Sequence, residues 1–327
     1  ALELASMASG DAQQSTADPE RLQLYVRLGR TLELSAQHAG AISVYEEMER
    51  VAQANGDQAM VLASLLARAA IRTTVNFARD PVEGQSLLEQ AQILARELAD
   101  RAAEAKILWN LLVLNAYTGG DPDQRLAYGE QALTLARDLN VPEQLAYTLH
   151  DIFYAYAGIG QWDRARQAVS EARDLWRQLD SLPMLSEALM RLHWAYLVAG
   201  EYEQAMVHAE EAYQLGVESH NLDAQALSHF MIGFVYWERG QIDQALTVME
   251  KDVAIAESVN SLTPLIGTRA DLGLLYGELG DIDRGLALAD LARSVAEEQL
   301  PILRFWPHAV QVSLHLRQGN VAAAKEL

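Results

Sequence analysis

Gly160-Gln-Trp-Asp-Arg-Ala165 is the stretch that decides the fold, because close copies of it recur at a fixed interval. The copies are Gly200-Glu-Tyr-Glu-Gln-Ala205, Gly240-Gln-Ile-Asp-Gln-Ala245 and Gly280-Asp-Ile-Asp-Arg-Gly285. A period of about forty residues is typical of a solenoid, in which each unit buries its apolar face against its neighbours. Such a chain generally works through a surface. The repeat therefore predicts the architecture more sharply than it predicts the partner.

Residues 181–219 show how one repeat is built. The apolar residues of its first helix fall on one face at helical spacing: Leu189, Leu192, Tyr196 and Ala199. Gly200 follows and can supply the left-handed residue that ends this helix. One face of the second helix is then lined by Tyr202, Ala205, Ala209 and Ala212. Small residues let two helices approach closely, so the pattern predicts an antiparallel helical hairpin.

A small residue near the start of each second helix sets the repeat boundaries. It falls at positions 41, 84, 125, 165, 205, 245, 285 and 324, and Arg125 is the one large exception. The spacing predicts repeats at approximately 19–56, 57–99, 100–140, 141–180, 181–220, 221–260, 261–300 and, in part, 301–327. Residues 1–18 read as the end of a preceding repeat followed by a polar loop. We therefore expect the chain to be a fragment of a longer protein.

The glycine, tyrosine and alanine pattern resembles the tetratricopeptide repeat (TPR), W-x2-L-G-x2-Y followed by G-x-Y/F and A-x3-F/Y-x2-A. The clearest copies are Gly233-x-x-Tyr236-x-x-x-Gly240 and Gly273-x-x-Tyr276-x-x-x-Gly280, and Leu28-Gly29-x-x-Leu32 is an earlier, looser copy. The period of about 40 residues exceeds the family's 34, as in Pins-type and kinesin-light-chain-like variants. The resemblance implies an all-α, right-handed superhelix with about seven complete hairpins and partial repeats at both ends.

Composition and charge exclude several classes of function. The net charge of −20, from 25 basic and 45 acidic residues, disfavours nucleic acid and anionic lipid as direct partners. No apolar run approaches the roughly 20 residues that span a bilayer. The chain has no cysteine and no signal peptide, which fits a cytoplasmic location.

The sequence holds no recognisable catalytic or metal-binding motif. It has no G-x4-G-K-[ST] phosphate loop, no G-x-S-x-G elbow and no H-E-x-x-H. The eight histidines do not pair with carboxylates at metal-ligand spacing. We therefore expect no catalytic residue, no metal, no cofactor and no enzymatic activity.

The resemblance places the partner-binding surface on the first helices of the repeats. Carrying the family register over gives these candidate groove residues: Asn76, Asn110, Tyr117, Tyr147, His150, Tyr154, Met190, Trp194, Phe230, Phe234 and Trp237. Asn110 matches the asparagine with which peptide-binding members hold a ligand backbone. Two interpretations stay open, because these side chains either form an open groove with aromatic anchors or pack between neighbouring repeats.

Three functions are compatible with this pattern. The first is an interaction or sensor domain of a larger bacterial protein, because the chain resembles the superhelical domains of signal-transduction ATPases and transcriptional activators. Its partner would be a protein or peptide, including other domains of the same chain. The second is a stand-alone scaffold that binds partner peptides. The third is a receptor for a small, sugar-like inducer that stacks on the aromatic groove.

Overall fold

The computed structural model describes residues 19–35, 37–74, 76 and 78–327. The segment 1–18, expected to hold the end of another repeat and a loop, lies outside these residues. Sixteen α-helices account for most of the described residues, and these contain no β-strand. They are α1 (Pro19–Leu34), α2 (His38–Asn55), α3 (Gln58–Thr73), α4 (Pro81–Glu97), α5 (Arg101–Thr118), α6 (Pro122–Asp138), α7 (Pro142–Gly158), α8 (Trp162–Gln178), α9 (Leu182–Val198), α10 (Tyr202–Glu218), α11 (Leu222–Glu238), α12 (Ile242–Val259), α13 (Leu262–Glu278), α14 (Ile282–Gln299), α15 (Phe305–Arg317) and α16 (Val321–Glu326).

The helices form consecutive hairpins, in which an odd-numbered first helix packs on the even-numbered second helix that follows it. The all-α, TPR-like solenoid predicted from the repeat is thereby confirmed. A 3₁₀ turn, Pro301–Leu303, precedes α15. The chain divides into an N-terminal unit that ends at Leu175 and a C-terminal unit that begins at Trp176.

From the third repeat onward, the turn inside the repeat is a glycine-capped helix end, whereas the first helix of the second repeat ends at Thr74 in an extended conformation. Gly200 has φ of 74°, in the left-handed region that glycine adopts without strain. The backbone N–H of Glu201 then donates to the carbonyl oxygen of Tyr196 at 2.9 Å, the six-to-one bond of a Schellman motif. The same bond recurs from Gln161 to Tyr156 at 2.9 Å. The tyrosine and glycine of the repeat are therefore the two ends of one capping motif.

The turns between later repeats use left-handed residues that are not glycine, whereas the first repeat ends at Gly56, with φ of 70°. Asn140, His220 and Asn260 have φ of 51°, 53° and 53°, and Ala99 has φ of 50°. Asparagine tolerates this conformation because its short polar side chain bonds locally, whereas alanine is strained there. Among the left-handed non-glycine residues described, Ala99 is therefore the one without a polar side chain.

Small residues set the closest helix crossings in each unit. In the N-terminal unit, Gly29 leaves the space that the ring of Tyr45 fills, since a Cβ there would lie 2.2 Å from Tyr45 Cζ. In the C-terminal unit, Gly273 of α13 faces Gly285 of α14, and a Cβ on Gly273 would lie 2.7 Å from the Gly285 carbonyl oxygen. Backbone meets backbone at that crossing, so no side-chain rotation could relieve an added methyl group.

Ion pairs connect the second helices of neighbouring repeats at a constant interval of 34 positions. In the N-terminal unit, Arg164 donates to Glu130 at 2.8 Å and Arg137 to Glu171 at 2.7 Å. In the C-terminal unit, the pairs are Arg177 with Glu211 and Arg284 with Glu250. These side chains are substantially exposed, so each pair contributes little stability but helps to set the register of neighbouring repeats.

Candidate functional site

The predicted groove residues differ widely in exposure. Asn110, His150 and Phe230 are buried, at 2%, 3% and 3% exposure, and offer almost no surface that a partner could reach. Tyr117 and Tyr154 are exposed, at 37% and 40%. The other six are partly buried: Asn76, Tyr147, Met190, Trp194, Phe234 and Trp237.

The two predicted asparagines are engaged inside the protein. Asn110 Oδ1 accepts from the Thr73 hydroxyl at 3.0 Å, and its Nδ2 donates to the Lys106 carbonyl oxygen at 2.9 Å. Asn76 Nδ2 donates to the Ile71 carbonyl oxygen at 2.7 Å. Its Oδ1 accepts from the backbone N–H of Ala78, also at 2.7 Å. Asn110 therefore joins α3 to α5, and Asn76 shapes the turn that leads into α4.

The candidate site of the C-terminal unit is an array of aromatic rings on its first helices. Trp194 of α9 lies 6.0 Å from Phe230 and 5.3 Å from Phe234, both on α11, between ring centroids. Phe234 lies 5.5 Å from Trp237. These separations and tilts are those that aromatic pairs prefer. Phe230 forms the buried base of the array, while Trp194, Phe234 and Trp237 keep part of their surface exposed.

Trp306 of α15 covers one end of this aromatic array. Its ring centroid lies 5.7 Å from that of Phe230. Gly267 of α13 leaves room for it, since a Cβ there would lie 3.0 Å from the indole ring. The indole Nε1–H donates to Asp271 Oδ1 at 2.9 Å. A glycine and a carboxylate on α13 therefore hold the tryptophan in place.

Four buried carboxyl and imidazole groups of the C-terminal unit have displaced pKa values. Burial raises the pKa of Asp271 to about 7, although the hydrogen bond from Trp306 opposes the shift. Burial likewise raises the pKa of Asp252 to about 7, against the hydrogen bond from Thr268. Burial lowers the pKa of His193 and of His229 to about 4. In each group the apolar surroundings disfavour the charged form.

The first helices of the N-terminal unit are joined by a polar cluster around Tyr147. Its ring lies 5.3 Å from that of Trp109 on α5, between centroids. Its hydroxyl accepts from Arg30 Nη2 on α1 at 2.6 Å. Trp109 Nε1–H donates to Asp151 at 2.7 Å. Tyr147 is therefore held on both sides by other first helices.

Tyr117 and Tyr154 line a cavity of about 390 Å³ at the ends of α5 and α7. Arg125 and Trp162, from the starts of α6 and α8, complete its wall with Ala116 and Ala157. A second cavity of about 540 Å³ lies among α4, α5 and α6, and none of the predicted site residues lines it. The smaller cavity is thus the one that contains predicted residues.

The register argument missed Arg125 and Trp162 as site residues. The same register places Trp306 on the first helix of the eighth repeat, although it is not among the candidate residues given above. The sequence did carry a signal for Arg125, because it occupies a position that is otherwise alanine or glycine. Trp162 belongs to the turn motif itself. Tyr202 and Ile242 occupy the same position in the next two repeats.

Two other kinds of site find no support in the part of the chain that the structure describes. No group of three or more histidine or acidic residues there could hold a metal ion. None of the helices described is both long and apolar enough to cross a bilayer.

Solved structures with similar folds are helical repeat proteins. A Rap protein complexed with competence and sporulation factor is similar over 99% of this chain and 88% of its own, with a TM-score of 0.70 and 15% identity. NprR in complex with its cognate peptide NprX matches over 97% and 89%, at 0.64 and 14%. Aspartyl phosphate phosphatase F from Bacillus subtilis matches over 98% and 84%, at 0.64 and 12%. At such low identity the likeness shows the TPR-like fold alone.

No protein-family model and no curated protein sequence matches this chain.

Proposed function

We propose that this chain is a non-enzymatic interaction domain that binds a peptide or protein on the first helices of its C-terminal unit. The observation that carries the proposal is the partly exposed aromatic array formed by Trp194, Phe234 and Trp237. Large aromatic side chains that are held rigidly but keep exposed surface are the usual anchors of protein interfaces. Phe230 packs against Trp194 and Phe234, and Trp306 packs against Phe230. The exposed rings are therefore already held in place, so little ordering of side chains would be needed on binding.

The similar structures support a peptide as the partner. Two of them are complexes, one with competence and sporulation factor and one with a cognate peptide. The net charge of −20 favours basic or neutral partners over acidic ones. We further propose that the chain is the sensor domain of a larger, cytoplasmic bacterial signalling or transcription-regulatory protein. A stand-alone scaffold and a receptor for a sugar-like inducer are the alternatives.

Selection from a random peptide library displayed on phage tests the proposal. Selected peptides are synthesised, and their affinities are measured for the wild-type protein and for Trp194→Ala and Trp237→Ala. We expect each substitution to weaken binding at least about tenfold, since anchor residues contribute more than about 1.4 kcal/mol. Leu291→Ala is the matched control, because Leu291 is 53% exposed but lies on the second helix α14.

Circular dichroism melting of the same variants separates loss of binding from loss of folding. Peptides that bind both tryptophan variants with wild-type affinity would contradict the proposal. So would a weakening by Leu291→Ala that equals theirs. Stabilisation by a monosaccharide panel without any peptide binding would replace the proposal with the small-molecule alternative.

A further inference from the structure

Arg125 occupies a position that other repeats reserve for a small residue. The equivalent residues Ala165, Ala205 and Ala245 are completely buried where the two helices of a hairpin cross. Arg125 is only partly buried and lines the 390 Å³ cavity. The α5–α6 hairpin therefore lacks, at this end, the small residue that elsewhere closes the crossing.

The guanidinium of Arg125 has only neutral hydrogen-bond partners. Its Nε donates to Asn115 Oδ1 at 3.2 Å, and its Nη2 donates to the Gly120 carbonyl oxygen at 3.4 Å. Among the described residues, no carboxylate forms an ion pair with it. This differs from Arg137 and Arg164 of the same unit, which bind glutamates at 2.7 and 2.8 Å. A partly buried guanidinium favours a carboxylate partner, because it can donate two parallel hydrogen bonds to one.

The rest of the cavity wall is mainly apolar. Tyr117 and Tyr154 present ring surface from α5 and α7, and Trp162 does so from α8. Ala116 and Ala157 lie between them. The cavity of about 390 Å³ falls in the range of small-ligand sites, about 300–1,000 Å³. It thus offers one positive charge beside an aromatic wall.

We propose that this cavity binds the C-terminal residue of a peptide, with the terminal carboxylate on Arg125 and an apolar side chain among the three rings. A C-terminal residue with an apolar side chain carries that side chain and a carboxylate on the same Cα. One residue can therefore contact both the Arg125 guanidinium and the aromatic rings. An aspartate or glutamate would meet the guanidinium but leave the aromatic surface uncovered. The inference rests on the proposed function, that the chain binds peptides, and assigns a further peptide-binding site to the N-terminal unit.

The charge of the whole protein further restricts which peptides can bind. At a net charge of −20 the protein repels peptides that carry several acidic residues. A single terminal carboxylate needs only the local field of Arg125. The remaining residues of the peptide are therefore neutral or basic.

The test compares two fluorescent peptides, Gly-Ser-Gly-Ser-Phe with a free C-terminal carboxylate and the same peptide as its C-terminal amide. We expect the free acid to bind the wild-type protein at least about tenfold more tightly, as expected of a charge-assisted bidentate contact. Arg125→Met should abolish this preference and leave the affinity of the amide unchanged. Arg27→Met is the control, because Arg27 is exposed on α1 and should leave the preference intact.

Tyr154→Ala provides a second variant that leaves Arg125 in place, and it should weaken acid and amide alike. Equal affinity of acid and amide for the wild-type protein overturns the proposal, as does a preference that survives in Arg125→Met. Binding of free phenylacetate without binding of the acid peptide also overturns it. These outcomes leave the proposed function standing if library peptides still lose affinity on Trp194→Ala, so the two failures are distinguishable.

Discussion

Arg30 and Tyr147 are 117 positions apart in sequence, yet Arg30 Nη2 donates to the Tyr147 hydroxyl at 2.6 Å. The bond joins α1, in the first repeat, to α7, in the fourth. In a simple solenoid each repeat contacts only its neighbours, so this bond bypasses two repeats. Glu143, one turn earlier on α7, lies 3.8 Å from the same guanidinium. Arg30 therefore links α1 to a helix that does not belong to a neighbouring repeat.

Arg30→Ala should loosen α1 without unfolding the unit. The Arg30 side chain is 48% exposed, so we expect the global stability to fall by no more than about 1 kcal/mol. Amide hydrogen exchange in α1 should accelerate, because this helix loses the hydrogen bond and the ion pair that Arg30 forms with α7. Tyr147→Phe should do the same while retaining the ring contact with Trp109. Arg27→Ala on the same helix is the control, and equal exchange in it would contradict the role assigned to Arg30.

Gly273→Ala should destabilise the C-terminal unit by roughly 1–3 kcal/mol. The added methyl group would lie 2.7 Å from the Gly285 carbonyl oxygen, and the backbone there cannot rotate away. Gly158→Ala is the matched control, since no atom lies within 4 Å of the position where its Cβ would be. Alanine is the better helix former there, so a gain of up to about 1 kcal/mol is expected. Urea unfolding followed by circular dichroism measures both, and equal midpoints would contradict the crossing geometry.

Asp271→Asn should stabilise the protein at alkaline pH. The carboxyl pKa is raised from 3.8 to about 7 by folding, so the native state holds a proton that the unfolded state has released. Its stabilising contribution is complete below pH 3.8 and is lost as the pH rises through about 7, at about 1.4 kcal/mol per unit between these values. Asparagine keeps an oxygen acceptor for Trp306 and does not ionise.

The measurement is the difference in unfolding free energy between Asp271→Asn and wild type at about pH 5 and pH 8. We expect the advantage of the variant to grow with pH. The comparison with wild type is needed because His193 and His229 change the stability of both proteins with pH in the direction opposite to Asp271. Their pKa values fall from 6.5 to about 4 on folding, so their contribution is lost as the pH falls through that range. An advantage that is constant with pH would contradict the assignment to Asp271.

Ala99→Gly should stabilise the joint between the second and third repeats. Ala99 has φ of 50°, a conformation that strains an L-residue by about 1–2 kcal/mol. Glycine relieves the strain but costs about 0.5–1 kcal/mol of backbone entropy, so a net gain of up to about 1 kcal/mol is expected. The reverse change, Gly200→Ala at φ of 74°, should destabilise by a similar amount. Thermal melts compare the two, and a loss of stability in Ala99→Gly would contradict the argument.

The fold was predictable from sequence because its determinants are local. The six-to-one bond of each cap joins residues such as Glu201 and Tyr196, and the glycine between them can be read directly. The left-handed residues between repeats were not predicted. Ala99 has no intrinsic preference for that conformation, so the surrounding helices impose it.

The sequence predicted which helix face carries the candidate site, but not which side chains on that face are exposed. The helical register assigns a residue to the first-helix surface, but it cannot tell whether a side chain from another repeat covers it. Phe230 is buried because Trp306 packs against it, and Asn110 because Thr73 occupies its amide oxygen. Both contacts depend on residues far away in sequence. Tyr154 stays 40% exposed.

The glycine-capped turns also bear on how such a chain can change in length. Every hydrogen bond of the joint at Gly200 lies within a few residues, so a duplication of about forty codons would insert a repeat with its joints complete. An insertion between the first and fourth repeats, however, would move Arg30 away from Tyr147. One between α11 and α15 would likewise separate Phe230 from Trp306. The long-range contacts, and not the turns, therefore determine where a further repeat can be inserted.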